Sequence, residues 1–305
     1  MLLGIDVARW QGVVDFKSVA AHGVKFCICK ATHGKGLDGT FKQNWGSIKP
    51  HMVRGAYAWY IPGKDPMGQA DAFVDAMVGL SNDDLPPAID FEEPSSLPAQ
   101  QLLDEVLVFV KRVRERTNRK PLLYTGKWFW QQYVKDMDSP ELVLLTDLWH
   151  SEYPRTGKTG TQYDEALAAL RSPNPSKPWA SRGIAPKLWQ FDGDKGLTLP
   201  NGVDADFNRF DGSEEEFQCW LASTIIDPCA PPVLIPPTFS TVSEVQVELL
   251  AEGYDLGPSG ADGRMGPKTT DAIRSFQRDN GLESDGIVGP KTKAVLAAKW
   301  QARNS

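Results

Sequence analysis

Short apolar segments alternate with amphipathic segments along the first two hundred residues. LLGIDVA is followed by DFKSVAAHG, KFCICKAT by TFKQNWGSIKPHM, and VRGAYAWY by DPMGQADAFVDAMVGL. The apolar segments have the length of buried strands, and the segments between them repeat apolar residues at helical spacing. This alternation predicts parallel strands joined by right-handed crossovers.

The longest helical pattern follows the strand candidate PPAIDFE. In PAQQLLDEVLVFVKRVRERTN, apolar residues recur along one face, and KPLLYTG is the next strand candidate. The alternation of strands and helices then becomes less regular. DLWHSEY, PKLWQFD and VDADFNRF look like strands, but irregular segments separate them. The pattern predicts an α/β fold, a distorted β/α barrel with parallel strands that ends in plainer strands.

Five prolines among the thirteen residues DPCAPPVLIPPTF predict a semi-rigid linker. Beyond it, DGRMGPKTTDAI and DGIVGPKTKAVL repeat D-G-x-x-G-P-K-T at an offset of 23 residues. In each copy a glycine-rich turn leads into a proline suited to the first turn of a helix. We predict a barrel domain over 1–226, a linker over 227–241 and a small all-α domain of three helices over 242–305.

Composition and charge exclude several classes of function. The 305 residues carry a formal net charge of −6, which gives no support to a nucleic-acid partner. No run of 18 apolar residues predicts a membrane span. The four histidines show no ligand-like spacing, so neither a metal nor a cofactor is predicted.

The first residues, MLLGIDVARWQG, do not have the pattern of a secretory signal, because the apolar run is short and Asp6 and Arg9 interrupt the residues beyond it. Synthesis in a cytoplasm is therefore expected. Cys27 and Cys29 lie two apart in a strand candidate and are expected to be small buried hydrophobes. Cys219 and Cys229 flank a helix end, and the sequence leaves their pairing open.

Acidic residues stand at the ends of the predicted strands. PPAIDFEEP places Asp90, Glu92 and Glu93 directly behind an apolar run. Residues two apart on a strand point to the same side, so Asp90 and Glu92 are expected to share a face and Glu93 to point elsewhere. Asp6 stands near the end of the first strand, and Asp206 lies in the last one. Active sites of β/α barrels lie at the carboxyl ends of the strands.

A single strand-end acid is most simply a helix cap or a solvated loop residue. Four of them embedded in apolar strands are better explained as an active site. Crowded carboxylates raise one another's pKa, which keeps one protonated near neutral pH. Two strand positions allow roughly 5–9 Å between carboxylates, which fits both retaining and inverting glycosidases.

Aromatic residues fall near the same strand ends. Each taken alone is more often a core or rim side chain. Sugar rings present apolar C–H faces that stack on such rings, so a carboxylate cleft with aromatic walls favours carbohydrate over phosphate or acyl chemistry. The predicted substrate-binding aromatics are Trp10, Tyr57, Trp59, Tyr124, Trp149 and Trp189.

The ordered motifs GIDVARWQG, KATHG, GAYAWY, AIDFEEP, LLYTG, LWHSEY, KLWQFD and DFN resemble those of the glycoside hydrolase family 25 muramidases, lysozymes with a distorted β/α barrel. The resemblance spans about residues 2–210. It implies cleavage of the β-1,4 bond between N-acetylmuramic acid and N-acetylglucosamine in peptidoglycan. Gln190, in KLWQFD, is added to the substrate-binding residues.

The resemblance also implies a role for each acid. Glu92 is similar to the general acid that protonates the leaving-group oxygen. Asp90 matches its partner, either as nucleophile or as the group that orients a substrate acetamide that attacks instead. Asp6 and Asp206 are expected to tune charge and bind sugar. Asp204 is a rival of Asp206, which the DFN motif favours.

The tail resembles the three-helix peptidoglycan-binding domain found beside many cell-wall hydrolases. Because the first residues lack the pattern of a secretory signal, we expect an endolysin of phage type, made in a bacterial cytoplasm and released to the cell wall. The two-domain protein is expected to be a monomer, with the tail raising the local concentration of the barrel at the wall. The segment 154–187 is expected to shape the substrate groove or to be an exposed insertion. The alternatives are a chitinase-like glycosidase acting on N-acetylglucosamine polymers and a non-catalytic wall-binding protein.

Overall fold

The computed structural model describes residues 1–153, 173–193, 198–199, 201–226, 239, 242–258 and 260–304. The chain divides into two compact units, Met1–Ala230 and Pro231–Ser305. Most of the predicted linker 227–241 lies outside the described residues, as do residues 154–172 and Cys229. The proposed domain bounds therefore stay a prediction.

The first unit is built on one sheet that closes on itself. Its described strands are β1 (Leu2–Val7), β2 (Val24–His33), β3 (Gly36–Leu37), β4 (Val53–Trp59), β5 (Ala88–Asp90), β6 (Leu122–Gly126), β7 (Asp147–Ser151), β8 (Leu188–Asp192) and β9 (Asp206–Phe210). The order is β1-β9-β8-β7-β6-β5-β4-β2-β3, and β1 also pairs with β2. That last pairing closes eight strands into a barrel, and the short β3 lies beside β2, outside the closed ring. The predicted β/α barrel is confirmed.

The strand β9 departs from the expected parallel arrangement. It runs antiparallel to both of its neighbours, β1 and β8, whereas the other pairs around the barrel are parallel. A parallel strand needs a crossover to the far end of the sheet, but here Thr198 and Asp204 pair in an antiparallel bridge, so the chain returns from the same end. As a result the first residue of β9, not its last, lies where the parallel strands end.

Helices surround this barrel, and the predicted apolar stripes explain why. In α4 the buried side chains are Leu102, Leu103, Val106, Phe109, Val110 and Val113, and the helix ends where Asn118 adopts a left-handed conformation at φ 53°. Among the described residues, no helix combines the length and the apolar character needed to cross a membrane. The α-helices among the described residues of this unit are α1 (Phe16–Ala21), α2 (Phe41–Ile48), α3 (Pro66–Ala76), α4 (Ala99–Thr117), α5 (Lys127–Phe129), α6 (Pro140–Leu145) and α7 (Glu214–Ser223).

The second unit contains the three predicted helices, α8 (Val242–Ala251), α9 (Pro267–Asp279) and α10 (Pro290–Asn304). The sequence repeat forms two loops of matching bonding. The side-chain amide of Gln246 donates to Asp262, to the carbonyl of Arg264 and to Thr269, and its oxygen accepts from the backbone N–H of Gly263. In the second loop Gln277 bonds in the same way to Asp285, Ile287, Thr292 and Gly286.

Candidate active site

A cavity of about 580 Å³ lies at the barrel mouth where the parallel strands end. Residues at or near the strand ends reach it from β1, β2, β4, β6 and β7, and β9 contributes its first residue. Seven of the eleven predicted site residues line it: Asp6, Trp10, Tyr57, Trp59, Glu92, Tyr124 and Asp206. The other four, Asp90, Trp149, Trp189 and Gln190, are buried and do not line this cavity.

Asp90 ends β5 and is only 4% exposed. It pairs with Trp59 on one neighbouring strand and with Tyr124 on the other. Among the described residues, no hydrogen-bond partner reaches its buried Oδ1. Burial raises the pKa of Asp90 well above its usual value, and Glu92 raises it further, whereas the ammonium of Lys30 lowers it. A carboxyl group in this position needs a cation or a ligand to carry its charge.

Glu92 does not belong to the strand. β5 ends at Asp90, two residues earlier than the candidate PPAIDFE, so strand alternation does not decide where Glu92 points. The short strand gives way to a loop, and this loop brings Glu92 to the cavity surface. The adjacent Glu93, expected to be a bystander, accepts a hydrogen bond of 2.8 Å from Nε1 of Trp59. Glu93 therefore fixes one wall of the cavity.

Asp6 lies on β1 with one carboxylate oxygen held by two amides. Its Oδ2 accepts from Gln190 at 2.8 Å and from Asn208 at 2.7 Å. Burial raises the pKa of Asp6 to about 7; the two amide bonds oppose this rise, and the nearby Glu92 adds to it. Near neutral pH this carboxyl group can hold or release a proton at the wall of the cavity.

Gln190 is a buried residue that holds three other side chains of the site by hydrogen bonds. Its oxygen accepts from the hydroxyls of Tyr124 and Tyr153, both at 2.7 Å, while its amide donates to Asp6. Burial raises the pKa of both tyrosines, so each stays a donor at neutral pH. Gln190 was predicted to bind substrate, but its amide is occupied by protein groups and acts by positioning Asp6 and the two hydroxyls.

Trp149 and Trp189 are corrections to the predicted aromatic walls. Trp149 is buried inside the barrel, packs edge-on against Tyr124 with ring centroids 4.7 Å apart, and donates from Nε1 to Asn208 Oδ1 at 2.7 Å. That bond orients the Asn208 amide so that its nitrogen faces Asp6. Trp189 donates to the carbonyl of Glu152 and is covered by the guanidinium of Arg209, 4.4 Å from the ring centroid. Neither ring lines the cavity.

The aromatic walls that do line the cavity are Trp10, Tyr57, Trp59, Tyr124, Trp128 and Tyr153. Trp10 is 75% exposed, and the guanidinium of Arg9 lies 4.3 Å from its ring centroid. Trp59 stacks with the His33 ring, and the Lys30 ammonium lies 4.3 Å from its centroid. Exposed indole surface beside carboxyl groups is suited to the apolar faces and hydroxyls of sugars.

Four functional residues escaped the sequence reasoning: Lys30, Trp128, Tyr153 and Asn208. Lys30 is the one cation among the described lining residues, and its pKa is lowered by burial and raised by Asp90. Lys30, Tyr153 and Asn208 lie in the motifs KATHG, LWHSEY and DFN, but a motif alone does not show which of its side chains face the site. Trp128, on α5, had no signal beyond its residue type.

The rival acid Asp204 is exposed and does not line this cavity. Asp206 does, because it is the first residue of β9 and pairs with Asp6 on β1. Within the described part of the chain, no group of three or more histidine, cysteine, aspartate or glutamate side chains is placed to hold a metal ion. Cys27, Cys29 and Cys219 are free thiols there.

A β/α barrel with clustered carboxyl groups and exposed aromatic rings at the carboxyl ends of its strands has the features of a glycoside hydrolase. Residues 5–191 match the model of the glycosyl hydrolases family 25, and residues 240–296 match a putative peptidoglycan binding domain. The chain therefore belongs to glycosyl hydrolase family 25 and carries a peptidoglycan-binding domain C-terminal to its catalytic barrel in the sequence.

Individual relatives agree with this assignment. The chain is 33% identical to lysozyme M1 of Streptomyces globisporus, covering 69% of this chain and 68% of that protein. It is 31% identical to the uncharacterized protein YegX of Escherichia coli O157:H7, over 72% of each chain. A family 25 glycosyl hydrolase structure from Bacillus anthracis is 26% identical, with a TM-score of 0.56, covering 72% of this chain and 93% of that one.

Proposed function

We propose that this protein hydrolyses peptidoglycan at the β-1,4 bond between N-acetylmuramic acid and N-acetylglucosamine, with Glu92 as general acid. The observation that carries the proposal is the position of Glu92, which lines the cavity two residues beyond the buried Asp90. Relatives named lysozyme and N,O-diacetylmuramidase support the choice of bond.

The general acid must hold a proton at the pH of the reaction. Asp6, Asp90 and Glu92 share the mouth of one barrel, and Glu92 raises the pKa of both of the others. Each group that ionises makes the next ionisation harder, so the cluster retains a proton near neutral pH. Glu92, at the cavity surface, is the member placed to donate it to the leaving-group oxygen.

Asp90 is the partner carboxylate. Asp90 is 4% exposed and does not line the cavity, so this role requires the loop that carries Glu92 to shift when a substrate enters. The substrate then supplies the donor that the buried Oδ1 lacks. The N–H of a substrate acetamide would meet that need while the acetamide oxygen attacks the anomeric carbon. This supports the orienting role for Asp90, and direct attack by its carboxylate is the second possibility.

The second unit extends the proposal to location. A tail matching a putative peptidoglycan binding domain would hold the barrel on the wall and raise its local concentration there. We infer an endolysin of phage type, monomeric, made in a bacterial cytoplasm and released to the wall. Fractionation of infected or expressing cells tests this, because export before lysis would contradict it.

The test of the chemistry is a digest of purified peptidoglycan read by mass spectrometry. The full-length protein should release fragments that end in reducing N-acetylmuramic acid, and Glu92→Gln should release at least a hundredfold less. Glu93→Gln is the matched control, since the amide keeps an acceptor for Trp59. Fragments that end in reducing N-acetylglucosamine would overturn the bond assignment.

Two further results separate the alternatives. Faster cleavage of chitin than of peptidoglycan would favour the chitinase-like alternative. Equal release by wild type and Glu92→Gln, both at the level of a blank, would favour a wall-binding protein without catalysis.

A further inference from the structure

A second cavity, of about 510 Å³, opens beside the first and is not used by the proposed chemistry. The two cavities share Trp10, Gln11 and Asp206 as lining residues. Val13 and Asp204 line only the second cavity. Its volume lies within the roughly 300–1,000 Å³ typical of ligand sites. Because they share these residues, the two cavities are adjacent.

Intramolecular hydrogen bonds hold residues on both sides of the second cavity. On one side, Gln11 accepts from the backbone N–H of Ala8 and holds the loop after β1. On the other side, Gly202 donates to the carbonyl of Leu199, and the Asn201 side chain donates to Ser18 at the start of α1. A groove with preformed walls loses little free energy on ordering when a ligand enters.

The surface chemistry of this cavity is partly apolar and partly acidic. Val13 is 82% exposed and Trp10 75%, an unusual amount of apolar side chain to leave in water beside an active site. The charged side chains that line it are Asp204 and Asp206, and no cation is present among its described lining residues. Such a surface accepts an uncharged sugar and repels a ligand that carries carboxylates.

We propose that this cavity is an outer subsite that holds an N-acetylglucosamine unit of the glycan chain, beyond the sugars at the catalytic carboxyls. The proposal rests on the proposed function. In this proposal the ring of Trp10, at the border of the two cavities, stacks on the sugar, and Val13 contacts an apolar face of the same sugar. The acidic wall disfavours muramic acid units, because each carries a carboxylate, either on its free lactyl group or on an attached stem peptide. The subsite therefore also sets the register of the chain.

The first experiment measures kcat/KM for peptide-free glycan oligomers of defined length, each one disaccharide longer than the last. Wild type should show a rise of roughly five- to tenfold at one step in length, where the chain reaches the outer subsite. Val13→Trp, which fills the cavity, should abolish that step. Val78→Trp is the matched control, because Val78 is 79% exposed and lines neither cavity.

The second experiment tests the acidic wall with Asp204→Lys. This exposed substitution should raise cleavage of peptide-free oligomers whose lactyl carboxylates are free, relative to the same oligomers with those carboxylates converted to neutral amides, by at least threefold. A length profile that is the same in Val13→Trp and wild type, or an unchanged preference between free and amidated oligomers in Asp204→Lys, overturns the subsite. Failure of wild type to cleave any oligomer would instead overturn the proposed function.

Discussion

Replacing Asp6 with asparagine should stabilise the barrel above neutral pH. The asparagine side chain has nearly the same shape, and its oxygen can still accept from Gln190 and Asn208. It cannot ionise, however, and Asp6 is a buried acid whose pKa in the folded protein is raised to about 7. The substitution therefore removes a charge that the fold accommodates poorly.

The sign and size follow from linkage. The folded state binds the Asp6 proton more tightly than the unfolded state, so the stabilising contribution is complete below the unfolded pKa of 3.8 and is lost as pH rises through about 7. At 1.36 kcal/mol per pH unit, the full change is on the order of 4 kcal/mol. Asp6→Asn escapes this loss, so its advantage over wild type should grow between about pH 4 and pH 7 and then level off.

The assay is urea unfolding followed by tryptophan fluorescence, which reports the barrel because nine of the ten tryptophans precede residue 227. Each protein is unfolded at a series of pH values, and the difference in free energy of unfolding is plotted against pH. Asp104→Asn, at an exposed position of α4, is the control and should give a flat line. A flat line for Asp6→Asn as well would refute the reasoning, since the titrating carboxyl would then not be Asp6.

Three further predictions address the cation, the scaffold and the tail. Lys30→Met removes the charge that lowers the pKa of Asp90, so kcat/KM near pH 6 should fall roughly tenfold and the acidic limb of its pH profile should move to higher pH. Lys30→Arg should restore the profile, and an acidic limb that does not move in Lys30→Met would contradict this. Asp84→Ala breaks the buried, two-bond ion pair with Arg54, both bonds at 3.0 Å, and should cost about 3–5 kcal/mol of unfolding free energy in urea; a cost under about 1 kcal/mol would argue against it. Gln277→Leu leaves the buried groups of the second tail loop without partners and should weaken co-sedimentation with insoluble peptidoglycan severalfold; unchanged co-sedimentation would mean that this loop does not shape the binding surface.

Short apolar runs located the barrel strands because these strands are buried on both faces, and helical periodicity located the α4 stripe because that helix is buried on one side. The repeat in the tail was readable for a similar reason, since the same short sequence makes the same loop twice. The direction of β9 was not readable. It depends on where the preceding connection returns the chain, and the bridge between Thr198 and Asp204 has no local sequence signal.

The roles within the site divide in the same way. Strand ends pointed to Asp6, Asp90 and the neighbourhood of Glu92. They could not show that Trp149 orients Asn208 and does not line the cavity. Strands of a barrel are apolar on both faces, so the pattern does not tell which side chains point into the barrel and which point toward the helices. The hydrogen bond from Asn208 to Asp6 could not be predicted either, because it forms only when β9 pairs with β1.

The position of β9 between β1 and β8 joins the two ends of the barrel domain in a single seam. Without β9 the sheet would be open, with β1 and β8 as unpaired edges, and such edges favour pairing with other chains. Asp6 then lacks Asn208, and the cavity lacks Asp206. Pairing of β9 therefore closes the barrel and completes the site at the same time, so a barrel that is truncated before β9 would lack part of its active site.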